Sequence, residues 1–149
     1  MQLTLWQFLL YGIPECIAYA LFCWLLLNKK LLLNKVLLIG MIQAVIYLVV
    51  RALPLHFGLH TIIGIVTLSF LIKYYSGNYF SKIFVVVIFS TFTVGIIEAI
   101  NLTIFGGIWG EEAVFENETY ALLTGFFQLL LLYAVILLVF LVKKRGRKL

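Results

Sequence analysis

Long apolar runs alternate along this chain with short polar clusters, and the runs are long enough to decide its class. A helix needs about 20 consecutive apolar residues to cross the hydrocarbon core of a bilayer. Five stretches approach or exceed that length, at residues 5–27, 36–53, 59–75, 83–105 and 120–142. The pattern predicts an all-α, polytopic membrane protein of five transmembrane helices. No linker divides it, so residues 1–149 are expected to form a single transmembrane domain.

The polar clusters between the runs carry the direction. All of the eleven basic residues except Arg51 fall in three places: Lys29, Lys30 and Lys35 after the first run, Lys73 and Lys82 around the third turn, and the tail from Lys143 to Lys148. With five spans these places share one side, as the excess of Lys and Arg on cytoplasmic loops requires. The amino end is therefore expected outside and the carboxyl end inside, in the cell membrane. Four or six spans would break this agreement. Trp6 and Trp109 then fall near the outer interface and Tyr74, Tyr75 and Tyr79 near the inner one, as aromatic belts do.

Composition narrows the function classes. The chain is 64% hydrophobic and 11% charged, against about 25% charge in a soluble domain. Five spans leave no room for a soluble catalytic domain. The net charge of +5 sits in short loops and a tail, where it orients the protein and meets anionic headgroups; it is not a nucleic-acid footprint. No serine–histidine–acid set lies at plausible depth, no cysteine lies near a histidine, and there is no Gly-rich phosphate loop. The expectation is no enzyme, no cofactor and no metal. Cys16 and Cys23, on one helix and about 10 Å apart along its axis, are too distant for a disulfide and read as packing residues. The amino end has no basic residue before its apolar run and no evident small-residue cleavage site, unlike a signal peptide.

The outer loops are distinctive. His56 and His60 have i, i+4 spacing, but Pro54 and Gly58 argue for a turn there and nothing completes a metal set; Thr61 is placed to cap the third helix. The loop from Gly106 to Thr119 carries Glu111, Glu112, Glu116 and Glu118. It reads as a solvated face made flexible by Gly106, Gly107 and Gly110 and anchored by Trp109. Asn117-Glu118-Thr119 is a glycosylation sequon on that side, and Asn101-Leu102-Thr103 is a second by pattern.

A few polar residues lie inside the runs. Glu15, Gln43, Glu98 and Gln128 fall at similar depth, mid-membrane or in its outer half. Asn101 shares a helix face with Glu98, and Tyr47 with Gln43; Tyr11 and Tyr19 flank Glu15 by one turn. A carboxyl group in hydrocarbon is costly and normally faces a bundle interior, paired or wet. These residues, with Arg51 as a natural partner for either acid and His60 at the rim, are the candidate ligand-binding set. The alternative for the amides is interhelical hydrogen bonding that fixes the bundle. Pro14 removes a helical hydrogen bond beside Glu15 and predicts a kink with freed carbonyls, or a packing role only. The pairs Glu15/Gln43 and Glu98/Gln128, on spans of opposite direction, hint at an inverted repeat of the transporter kind.

Taken together, Pro14-Glu15, Gln43, Arg51, the turn of Pro54, Phe57, Gly58, His60 and Thr61, then Glu98 and Gln128 resemble a five-span hydrophobic module of spore-forming Gram-positive bacteria. That module is similar to the membrane input regions of histidine kinases of the sporulation and quorum-sensing type. The resemblance covers the whole chain but rests on short motifs, and no kinase domain follows the fifth span here. It implies a sensing module, for a small apolar or peptide ligand, whose output passes through a membrane or cytoplasmic signalling partner. The competing expectations are a small transporter or substrate-capture subunit, with Glu15 and Glu98 coupling protons or cations, and a structural subunit of the bilayer.

Overall fold

The computed structural model describes residues 6, 8–27, 31–53, 58–110 and 117–146, with Arg51 and Gly146 placed by backbone alone. The described residues form helices and no strands. A π-helical turn, Phe8–Gly12, runs directly into α1 (Ile13–Leu26). Then follow α2 (Leu33–Ala52), α3 (Leu59–Ser76), α4 (Phe80–Trp109) and α5 (Glu118–Gly146). The π-helical turn with α1, and each of α2 to α5, are long and apolar enough to cross a membrane.

The helices reach beyond the apolar runs at several ends, because polar and aromatic residues extend a helix once its backbone ladder is nucleated. The fourth begins at Phe80 and continues through Gly106 and Gly107 to Trp109. Those two glycines, expected in a flexible loop, are helical. At 30 residues α4 is about 45 Å long, well beyond the about 30 Å of a hydrocarbon core. Pro14 follows the π-helical turn inside one continuous helical run, so its missing N–H leaves a carbonyl about one turn back without its helical donor. The irregularity expected around it is the wider π-helical turn just before.

Two turns use backbone that favours glycine. Gly58 is the residue before α3, at φ 94°, and no side chain caps that end. Thr61, expected as the cap, is instead helical, its N–H donating to the Gly58 carbonyl at 3.1 Å. Gly77 closes α3 at φ 67°, its N–H donating to the Lys73 carbonyl at 3.1 Å. Lacking a Cβ, glycine takes this left-handed conformation at no steric cost.

Two compact units divide the chain within α4, one covering Gln2–Thr91 and the other Phe92–Leu149 with Met1. In the larger unit α1 packs extensively on α2, and α2 on α3. Ala20, Cys23, Trp24, Leu27, Val36, Ile39, Leu68, Ile72, Ile83 and Val87 form its buried core, drawing on the start of α4 as well. Cys16 and Cys23 are in no disulfide. In the second unit the carboxyl-terminal part of α4 meets α5 through aromatic pairs: Phe105 edge-on to Phe127 at 5.2 Å, and Trp109 stacked on Tyr120 at 4.4 Å.

The start of α5 explains the Asn117 sequon in structural terms. The Asn117 side-chain oxygen accepts the Thr119 N–H at 2.9 Å, and its carbonyl accepts the Ala121 N–H at 2.9 Å. This is an N-cap, with Glu118 in the first turn and Lys143, Lys144 and Arg145 in the last, complementing the helix dipole at both ends. Asn117→Ala is expected to cost about 1 kcal/mol and to fray α5 from its start. Amide exchange at residues 119–122 should rise while α1 to α3 stay protected; uniform protection would refute the cap.

Candidate functional site

The polar groups inside the helices are of two physical kinds. The first are hydroxyls satisfied at home: Ser69 donates to the Ile65 carbonyl at 2.7 Å, Ser90 to Val86 at 2.8 Å and Thr103 to Ala99 at 2.8 Å. A bond to the carbonyl one turn back removes the donor from an apolar surround without any partner helix.

The second kind joins helices. Gln43, fully buried on α2, donates through Nε2 to the Gly64 carbonyl of α3 at 3.2 Å, and its Oε1 accepts from the Thr67 hydroxyl at 3.2 Å. Thr67 shares its proton with the carbonyls of Ile63 and Gly64. Tyr47, one turn from Gln43, lies against Gly64, where an added Cβ would meet its hydroxyl and come 2.8 Å from Cζ. Tyr19, one turn after Glu15, reaches α4: its hydroxyl donates to the Val87 carbonyl at 3.1 Å and meets the Thr91 hydroxyl. In the second unit Asn101 is buried and donates through Nδ2 to the Thr124 carbonyl of α5 at 2.8 Å. Its Oδ1 is buried with no hydrogen-bond partner among the described residues.

The ionisable candidates are placed differently. Glu15 is half-buried in the first turn of α1, immediately after the π-helical turn. Glu98 is exposed, although it lies eleven residues inside the end of α4, about 17 Å at the helical rise. Along its own face stand Val94, Gly95, Asn101 and Leu102, one turn away on either side. Gln128 is half-buried on α5, one turn after Thr124, and His60 is half-buried in the first turn of α3. The side chain of Arg51 lies outside the described residues, as do Pro54, His56, Phe57, Glu111, Glu112 and Glu116.

The candidate set is thus divided: Glu15, Gln43 and His60 belong to the larger unit, Glu98, Asn101 and Gln128 to the other. Within the units the structure adds Gly64, Thr67, Thr91 and Thr124, which sequence reasoning missed. A signal for the first two was present, since a glycine and a threonine three residues apart mark one small, polar face in an otherwise bulky helix. Thr91 and Thr124 carried no such mark. Among the described residues no group of three or more His, Cys, Asp or Glu could hold a metal ion. No protein-family profile, curated protein or solved structure matches the chain.

Proposed function

We propose that the chain is a multi-pass protein of the cell membrane, amino end outside and carboxyl end inside, that works as a ligand-binding or sensing module and passes its output to a partner on the cytoplasmic side. Five helices of spanning length support the membrane assignment. So does the surface they present: Val85, Phe92, Leu130 and Val142 are each more than 60% exposed. Such side chains, scattered along α2 to α5, are at home in lipid, whereas in water they would form patches that promote association.

The observation that carries the binding reading is Glu98. An exposed carboxyl group well inside a spanning helix does not remain against hydrocarbon; it is covered by a pairing group or reached by water. Asn101, one turn along, adds a buried acceptor that lacks a donor among the described residues. Both call for the same thing, a ligand or partner bearing hydrogen-bond donors or positive charge. Gln43 is read differently. Both ends of its amide are engaged by α3, so it fixes helix packing. The resemblance to kinase input regions supports sensing over transport, and no catalytic step is assigned.

The test is native mass spectrometry of the full chain in mild detergent, wild type beside Glu98→Gln and Glu15→Gln. The expected result is a retained small molecule or partner chain in the wild type, reduced at least about tenfold by Glu98→Gln, as loss of a charge-assisted bond implies. An empty wild type together with an unchanged Glu98→Gln spectrum would sink the binding reading.

A further inference from the structure

We infer that the larger unit carries a defined site for one anionic phospholipid, its acyl chain in the groove between α2 and α3 and its phosphate at the lysine-rich end of that groove. The inference rests on the membrane assignment above and on nothing in the ligand reading of Glu98. An open, almost wholly apolar groove of about 510 Å³ is lined by Ile46, Thr67, Phe70, Leu71, Lys73 and Tyr74. From Thr67 to Tyr74 it follows two turns of α3, about 10 Å along the helix, and it ends at Lys73 in the last turn.

That end is where positive charge collects. Lys73 Nζ donates to the Asn78 carbonyl at 2.7 Å and Lys35 Nζ to the Tyr75 carbonyl at 3.3 Å. Each ammonium has three donors, so these bonds fix the lysines at the turn and leave capacity for an anion. Lys82 lies in the first turn of α4, and Lys73 stands in the last turn of α3, where the negative end of the helix dipole holds a cation. No acidic residue occurs between Glu15 and Glu98, so nothing in α2 or α3 neutralises the site. Asn78 Nδ2, in the same turn, is a buried donor without an acceptor among the described residues, a deficit that a phosphate oxygen would relieve. Tyr74 and Tyr79, both more than 80% exposed, flank the turn as rings do at the headgroup level.

An anionic headgroup with its chain in an apolar groove matches all of these features. A soluble anion would use the lysines and ignore the groove; a zwitterionic lipid would use the groove and gain little from the lysines. Basic pockets between spanning helices on the cytoplasmic side bind lipid headgroups by this combination.

The experiment is native mass spectrometry of the full chain in mild detergent with phosphatidylglycerol and phosphatidylcholine of identical acyl chains, added at equal concentration. The expected result is a single-lipid adduct favouring phosphatidylglycerol by at least about tenfold. Lys73→Gln should reduce that preference about fivefold, the effect of one lysine near an anionic headgroup, and Lys73→Arg should keep it. Ile46→Trp, which fills the groove, should weaken adducts of both lipids; its helical content by circular dichroism confirms that it folds. Equal binding of the two lipids overturns the site. So does a preference untouched by Lys73→Gln, or full competition by water-soluble glycerophosphoglycerol, which would show an anion site without a chain. Reconstitution into phosphatidylcholine vesicles that resists alkaline extraction is the separate check on the membrane assignment. Success there with equal lipid binding defeats the lipid site alone.

Discussion

Replacing Gly40 by valine is expected to prevent α1 and α2 from packing in their native register, the largest effect of any single substitution considered. A Cβ at Gly40 would stand 2.6 Å from the Ile17 Cα and 3.1 Å from the Ile17 backbone nitrogen. These are atoms of the opposing backbone, which no rotamer change can move aside. The whole of α1 must retreat, and with it Ala20, Cys23 and Trp24, which share the core with Val36 and Ile39. Between helices in lipid there is no hydrophobic driving force, and close van der Waals packing is what holds them. A separation of even an ångström therefore removes much of the association. Overpacking a tight contact costs about 1–3 kcal/mol when side chains can adjust; against backbone, Gly40→Val should reach or exceed the top of that range. Gly40→Ala should be milder, because alanine recovers about 1 kcal/mol of helix propensity. Gly95 is the control: a Cβ there meets nothing within 4 Å, so Gly95→Ala should be neutral or slightly stabilising. Unfolding titrations in mixed micelles give the order. Equal midpoints for the Gly40 and Gly95 variants would refute the close approach.

Gln43→Ala should be the second most damaging change, at about 2–4 kcal/mol. The side chain is fully buried, so truncation opens a cavity, and cavities of this size cost a few kcal/mol. Two interhelical hydrogen bonds go with it, worth about 0.6 kcal/mol each on average within a membrane bundle. Gln43→Leu separates the two contributions. It fills nearly the same volume and removes only polarity, so it should cost about 1 kcal/mol, leaving Thr67 bonded to the carbonyls of its own helix. If Gln43 were a ligand contact and not a packing element, both variants would keep wild-type stability and lose a retained molecule instead. The same mass spectra that test Glu98 read this out. The two experiments together assign each buried polar residue to packing or to recognition.

Helix number and identity were legible in the sequence, because a run apolar on every face has only one backbone solution that satisfies its own hydrogen bonds within lipid. The ends were less legible. Gly106 and Gly107 read as a loop, yet α4 continues through them to Trp109, where stacking on Tyr120 rewards the extra turn. Thr61 read as a cap, yet the backbone of Gly58 starts the helix, a matter of one φ angle that residue type only suggests.

For the candidate site, the sequence alone singled out the unusual residues: an acid, an amide or a tyrosine is conspicuous in an apolar run whatever it touches. Partners escaped it. That Gln43 is spent on Gly64 and Thr67, that Tyr19 turns to Val87 and Thr91, and that Asn101 binds Thr124 while leaving one acceptor unmet among the described residues depend on which helix faces which. The number of long apolar helices and the location of the basic clusters between them follow from hydropathy and charge, which are properties of each residue in turn. Which polar group is satisfied and which still needs a partner follows from interhelical distances of about 3 Å, and only the packed structure sets those.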